Sequence, residues 1–184
     1  MNTVFLEIIP ITHNEDTYFW IYNLTNQYLR EVKNRGGEVK IVSEIWNTNE
    51  GGYEHVILKI TEENAYNYFK EREGKQRLTK VPMFATKSSP KVMGYQTLII
   101  SIDVYPEAPN NFELVDIYYR AVDLQADRNM KVAHEDYSAE LTHKPTGVIV
   151  TCGKERSQIK NKEMAEKILK AKIYEKSSSS KISI

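Results

Sequence analysis

Residues 155–162, ERSQIKNK, bring Arg156, Ser157, Gln158, Lys160, Asn161 and Lys162 into one short stretch. A guanidinium can fork onto a phosphate or a guanine. Amides and a hydroxyl can meet sugar hydroxyls and base edges, and two ammonium groups add charge. A surface helix needs charge for solubility, but not this mixture of planar donors, amides and a hydroxyl at its start. The chemistry is that of a surface fitted to phosphates and base edges. In a purely structural reading the same residues are a solvated helix start in which Asn161 is the cap.

Charge is distributed unevenly around this stretch. The chain of 184 residues has 25 Lys and Arg against 25 Asp and Glu, a formal net charge of zero, which would argue against a nucleic-acid partner if it were evenly spread. Between Lys154 and Lys176, however, eight Lys or Arg face four Glu. The C-terminal segment is thus a basic unit on an otherwise acidic body. Hydrophobic residues make up 41% and no apolar run approaches the roughly 18 residues of a membrane span, so no membrane is expected as a partner. The start MNTVFLEIIPITHNED lacks the basic opening and small-residue cleavage site of a secretory signal, and the single Cys152 cannot form an internal disulfide. A reducing compartment is expected, with Cys152 as a small core residue in the run GVIVTC.

The elements that must position these residues can be traced by periodicity. VFLEIIPI reads as a strand, after which Asn14 or Asp16 caps a helix to about residue 34. Its expected apolar stripe is Phe19, Tyr22, Leu29 and Val32, joined by Trp20, Leu24 and Tyr28. EVKIVSEIW and YEHVILKI flank the turn-prone NTNEGG and predict a hairpin. A short helix is expected over 61–73, a loop over 81–94, and strands at QTLIISIDV and ELVDIYY. The stretch 123–135 has no hydrophobic period and reads as an exposed loop. SAELTHK and GVIVTC are expected strands, and residues 161–176 a helix with Met164, Ile168 and Leu169 inward.

The motifs in this order resemble those of bacterial class I peptide chain release factors. The stretch ELTHKPTGVIVTCGKERSQIKNKEMAEKILKAKIYE is similar to the family's hydrolase-domain signature, in which Thr-His-x-Pro-Thr-Gly precedes Arg-Ser-Gln-x-x-Asn-Lys and a basic helix. DIYYRA matches the strand leading into the catalytic loop, AYNYFKEREGKQRLTKVP the segment entering the codon-reading domain, and IIPI with YLREVKNRGGEVKIVSE the start of that domain in release factor two. The family's N-terminal helical domain has no counterpart in these residues. The resemblance implies an α+β fold of two packed mixed α/β units: a decoding-like domain at 1–110 and a hydrolase-like domain at 111–176, with a disordered tail at 177–184. It also adds Arg120, His143 and Thr146 to the RNA-binding set.

The family cuts peptidyl-tRNA with a Gly-Gly-Gln loop, whose glycines let a backbone N–H approach the ester carbonyl as oxyanion charge develops. Here the corresponding VDLQADRNMKVAHED has no glycine, and none occurs between Gly94 and Gly147. Gln125 stands alone between Leu124 and Ala126, and the carboxylates of Asp123, Asp127, Glu135 and Asp136 oppose an RNA surface. Release factor two reads stop codons with Ser-Pro-Phe and a later stacking histidine. This chain has Pro82, Met83 and Phe84 at that place, and no histidine between His55 and His134. Phe84 and Tyr95 can stack on a base.

The expected function is therefore a release-factor-like RNA- or ribosome-binding protein without peptidyl-tRNA hydrolysis, occupying a ribosomal site or shielding structured RNA. The alternative is an active termination or rescue factor using a non-standard group, Gln125 or His134 with Glu135 or Asp136. No catalytic residue, metal or cofactor is assigned. The expected partners are the ribosome, ribosomal RNA or another structured RNA, bound by a monomer in the cytoplasm or in an organelle matrix or stroma of bacterial descent.

Overall fold

In the computed structural model, described over residues 2–80, 95–122 and 137–180, the chain is α+β. It opens with β1 (Asn2–Pro10), whose Val4, Leu6 and Ile8 face one core while Phe5 faces another. Burial of both faces explains why the strand is an almost unbroken apolar run instead of an alternating one. The helix α1 (Glu15–Asn34) is capped by Asn14, whose Oδ1 accepts the Thr17 N–H at 2.9 Å. Its buried stripe is Thr17, Tyr18, Ile21, Thr25, Tyr28 and Val32. That corrects the expected stripe: Phe19 is 57% exposed, because the inward path 18, 21, 25, 28, 32 runs through a threonine that hydrophobicity alone passes over.

The hairpin β2 (Glu38–Trp46) and β3 (Tyr53–Glu62) follows. A bulge at Val42, between the Ile41–Leu58 and Ser43–Ile57 pairs, swings that side chain into the second core. Gly52 has φ +100°, and a Cβ there would lie 2.3 Å from the Tyr18 carbonyl carbon, so the turn is pressed against the first turn of α1. The next helix, α2 (Ala65–Lys70), is shorter than expected, since Thr61 and Glu62 pair with Thr3 and Asn2 as part of β3.

A strand that periodicity does not reveal comes next: β4 (Gly74–Lys80), GKQRLTK, pairs along its whole length with β5 (Gln96–Pro106). It is an edge strand, and its exposed Lys75, Arg77 and Lys80 are the charges that discourage further pairing. The first sheet runs β2-β3-β1-β5-β4, all antiparallel.

The second sheet, β6 (Ile117–Val122), β7 (Ser138–His143) and β8 (Val148–Cys152), is also antiparallel. Its first strand starts at Ile117 and not within ELV, because Asp116 takes a left-handed φ of 56° and Val115 turns outward at 70% exposure. The long helix α3 (Gln158–Ser180) fills the space between the sheets. Ala165, Ile168, Leu169, Ala171 and Ile173 of α3 meet Leu141, Val150 and Cys152 on one side and Phe5, Val42 and Ile57 on the other. A helix buried on two sides has no single apolar stripe, and each fully buried Ile or Leu contributes about 1.5–3 kcal/mol.

The helix continues past the expected tail start at 177. Ser177 and Ser178 donate their hydroxyls to the Tyr174 carbonyl at 2.8 and 3.0 Å, which holds the last turn. Residues 181–184, the expected loop at 81–94 and that at 123–135 lie outside the described residues.

Candidate nucleic-acid interface

The start of α3 is built around Asn161. This side chain is fully buried inside the helix, where its Oδ1 accepts the Glu155 N–H at 3.0 Å and its Nδ2 donates to the carbonyls of Tyr137 and Glu155, both at 2.7 Å. It thereby folds segment 153–157 over the first helical turn and ties it to the beginning of β7. The cap itself is Ser157, which accepts the Lys160 N–H at 3.4 Å on Oγ, while its carbonyl accepts the Asn161 N–H at 3.0 Å. One of the expected RNA contacts is corrected here. Asn161 is sealed from any ligand, whereas half-buried Ser157 accepts a backbone N–H on Oγ and keeps its own O–H to donate.

What the fold turns outward is cationic. Arg156, Gln158, Lys160 and Lys162 are exposed around the α3 start. Among the described residues none of the three cations forms an ion pair, although Lys162 sits 4.8 Å from the centre of the Tyr119 ring. Lys154 beside them is tied to Glu44. The first turn of α3 carries no acidic residue. Cations at a helix N-terminus oppose the positive end of its dipole by about 0.3–1 kcal/mol each, and together with the free N–H groups they suit an external anion.

The other expected contacts lie elsewhere. Arg120 sits across β6–β7 from Glu140, with Nη2 2.9 Å from Oε1. It alternates with Tyr119, the residue under Lys162, and therefore projects from the sheet face away from α3. His143 is buried at 6% exposure, and its Nδ1 lies 2.8 Å from the Thr146 hydroxyl, closing the hairpin turn with a Gly147 N–H to His143 carbonyl bond of 2.8 Å. That corrects His143 from a surface contact to a turn residue. Exposed Thr146 stands at the far end of β7, about 17 Å along the strand from the α3 start. Pro82, Met83 and Phe84 lie outside the described residues, as do Gln125 and His134. Val122 and Ser138 are register partners, and Tyr137 is held by Asn161 at the α3 start.

Hydrophobic patterning also passed over a polar cluster where the sheets meet. Glu7 on β1 is held by His55 Nε2 at 2.7 Å, Lys172 Nζ at 2.7–2.8 Å and the Tyr105 hydroxyl at 3.0 Å. Burial alone would push the Glu7 carboxyl up, but the His55 hydrogen bond and the Lys172 ammonium outweigh it and hold it at about 2. Burial and the Glu7 charge push the Tyr105 phenol up. A cavity of about 140 Å³ adjoins the cluster. The signal was the lone carboxylate within VFLEIIPI.

Cys152 is fully buried, and burial pushes its thiol up to about 12, as suits a packing residue. Among the described residues no group of three His, Cys, Asp or Glu is placed to hold a metal ion, and no helix is long and apolar enough to cross a membrane.

Against this geometry, two family models match the chain: the PCRF domain over residues 1–91 and the RF-1 domain over residues 131–183. Peptide chain release factor 2 of an Exiguobacterium species is 34% identical over 182 residues, covering 95% of this chain and 47% of that protein. Peptide chain release factor 1 of Nautilia profundicola is 34% identical over 176 residues, covering 94% and 48%. RF2 of Thermus thermophilus superimposes with a TM-score of 0.78 at 26% identity, over 98% of this chain and 51% of that one. The chain spans about half the length of the curated relatives it matches.

Proposed function

Because the chain belongs to the class I peptide chain release factor family, we propose that it is an RNA-binding module that occupies a ribosomal site, or shields another structured RNA, without hydrolysing peptidyl-tRNA. Residues 1–110 are assigned as the decoding-like unit and 111–176 as the hydrolase-like unit. The observation that carries the reading is the trio Arg156, Lys160 and Lys162, exposed and without carboxylate partners among the described residues, at a helix N-terminus. Three cations without carboxylate partners among the described residues, at a helix N-terminus, fit a phosphate backbone better than they fit solvent.

The loss of hydrolysis rests on the sequence. A loop without glycine cannot adopt the backbone of Gly-Gly-Gln without strain of about 1–3 kcal/mol per residue. Occupancy then takes the place of chemistry. A ribosomal partner sets the compartment as the cytoplasm, or the matrix or stroma of an organelle of bacterial descent.

Sedimentation with ribosomes before and after RNase treatment tests binding, and a release assay on ribosomes carrying peptidyl-tRNA tests chemistry. The expected outcome is RNase-sensitive co-sedimentation with no release above the buffer rate. Efficient turnover would replace this reading with that of an active termination or rescue factor.

A further inference from the structure

The pole of the molecule formed by the start of α1 and the β2–β3 turn has the opposite character to the α3 start. No Lys or Arg occurs from Pro10 to Leu29 or from Ile41 to Leu58, while Glu15, Asp16, Glu44, Glu50 and Glu54 all do. Asp16 is paired with Lys80 and Glu44 with Lys154. Glu15, Glu50 and Glu54 are left without a cation among the described residues. Gly52, packed against the Tyr18 backbone, joins turn and helix into one surface.

That surface is aromatic. Phe19, 57% exposed, stacks on Tyr22 at 6.2 Å; Tyr22 meets Trp46 edge-on at 5.6 Å, and Trp46 meets Tyr53 at 5.1 Å. Glu15 lies one helical turn before Phe19 and shares its face. The Tyr18 phenol, pushed up by burial with Glu54 and Glu50 beside it, marks how close the turn carboxylates lie. Phe19 thus stands exposed at the edge of half-buried Tyr22 and Trp46, with Tyr53 in the core beneath them, and aromatic side chains are enriched at protein interfaces.

We infer that this pole docks a cationic protein segment, lysines or arginines interleaved with aliphatic residues or prolines, with Phe19 as its anchor and Glu15, Glu50 and Glu54 as its charge partners. An ammonium or guanidinium gains from both the ring faces and the carboxylates, and an aliphatic neighbour covers Phe19. Aromatic rings also stack on bases, but a phosphate backbone would be repelled by the carboxylates of Glu15, Glu50 and Glu54, which have no cation partner among the described residues. The molecule then presents two neighbouring faces of opposite charge, joined at the Glu44–Lys154 pair, with RNA at the α3 start and a basic protein segment at the α1 start.

The test titrates the full chain with a peptide of about twelve residues in which lysine alternates with leucine and proline, following emission from Trp20 and Trp46. A peptide with glutamate for lysine and an oligouridylate of similar length serve as controls. The expected result is saturable binding of the lysine peptide alone, weakened roughly tenfold by Phe19→Ala or by Glu15→Gln with Glu50→Gln. Arg156→Ala should leave it unchanged. These side chains are exposed, so far-ultraviolet circular dichroism should show the variants folded. Failure of the peptide to bind, equal binding by Phe19→Ala, oligouridylate binding lost on Phe19→Ala, or Phe19-dependent self-association would each overturn the inference.

Discussion

Lys172, in the middle of α3, places its ammonium 2.7 Å from Glu7 on β1 and so links the helix carrying the candidate interface to the central strand of the five-stranded sheet. A buried pair of this kind is costly to break from one side, because the charge left behind has no solvent. The Glu7 carboxyl sits at about 2 in the folded chain against an ordinary value near 4.5, so it binds its proton less readily folded than unfolded. Its contribution is complete above about pH 4.5 and disappears as pH falls towards 2. The shift corresponds to something on the order of 3 kcal/mol. Urea unfolding of Glu7→Gln should therefore show a large stability deficit at pH 7 that shrinks steadily on acidification to pH 3. A deficit independent of pH would mean that shape, not charge, is what Glu7 supplies.

Asn161 is expected to act on binding only through structure. Asn161→Ala removes three hydrogen bonds, to the Tyr137 carbonyl and to the Glu155 carbonyl and N–H, a loss of about 3 kcal/mol. Asn161→Asp should be worse, since a carboxylate would face those same carbonyls. Both should lower the melting temperature and expose residues 153–157 to protease. Arg156→Ala should do neither. A drop in RNA affinity for Asn161→Ala without a drop in melting temperature would return this residue to the contact surface.

Much of this was legible in the sequence because apolar runs, turn chemistry and the motif order point the same way. The strands VFLEIIPI, QTLIISIDV and GVIVTC and the helix around Ile168 and Leu169 follow from hydrophobic pattern alone. What escaped depends on partners distant in sequence. GKQRLTK has no pattern of its own and is a strand only because β5 offers it an edge. Asn161 and His143 are polar letters within donor-rich motifs, and nothing local says that one is swallowed by its own helix and the other by its own turn. The bulge at Val42 likewise decides which core a valine serves, and a one-dimensional period cannot encode it.

Thr25 exposes a different weakness. It is 1% exposed within the stripe of α1, and its hydroxyl has no hydrogen-bond partner among the described residues. A buried unsatisfied hydroxyl costs about 1–3 kcal/mol, whereas valine has nearly the same shape and a similar helix propensity. Thr25→Val should raise the melting temperature by several degrees without affecting RNA binding. Destabilisation instead would imply a partner for that hydroxyl in the segments outside the described residues.

The cationic trio can be separated from every structural role by its dependence on salt. Each phosphate neutralised by Lys or Arg releases counterions, so the slope of log affinity against log salt counts the contacts. Arg156, Lys160 and Lys162 are exposed and free of carboxylate partners among the described residues, and replacing them disturbs no ion pair described in the fold. The triple alanine variant should therefore melt no lower, since it also removes cations from the positive end of the helix dipole, while its slope with structured RNA flattens by about 2–3. Affinity should fall by a similar factor for every sequence tried, because phosphate contacts carry no base information. Arg120→Ala, whose guanidinium is engaged by Glu140 on the opposite sheet face, should change the slope far less. If Arg120 proves the larger contributor, the RNA lies across the outer face of the three-stranded sheet and not at the start of α3.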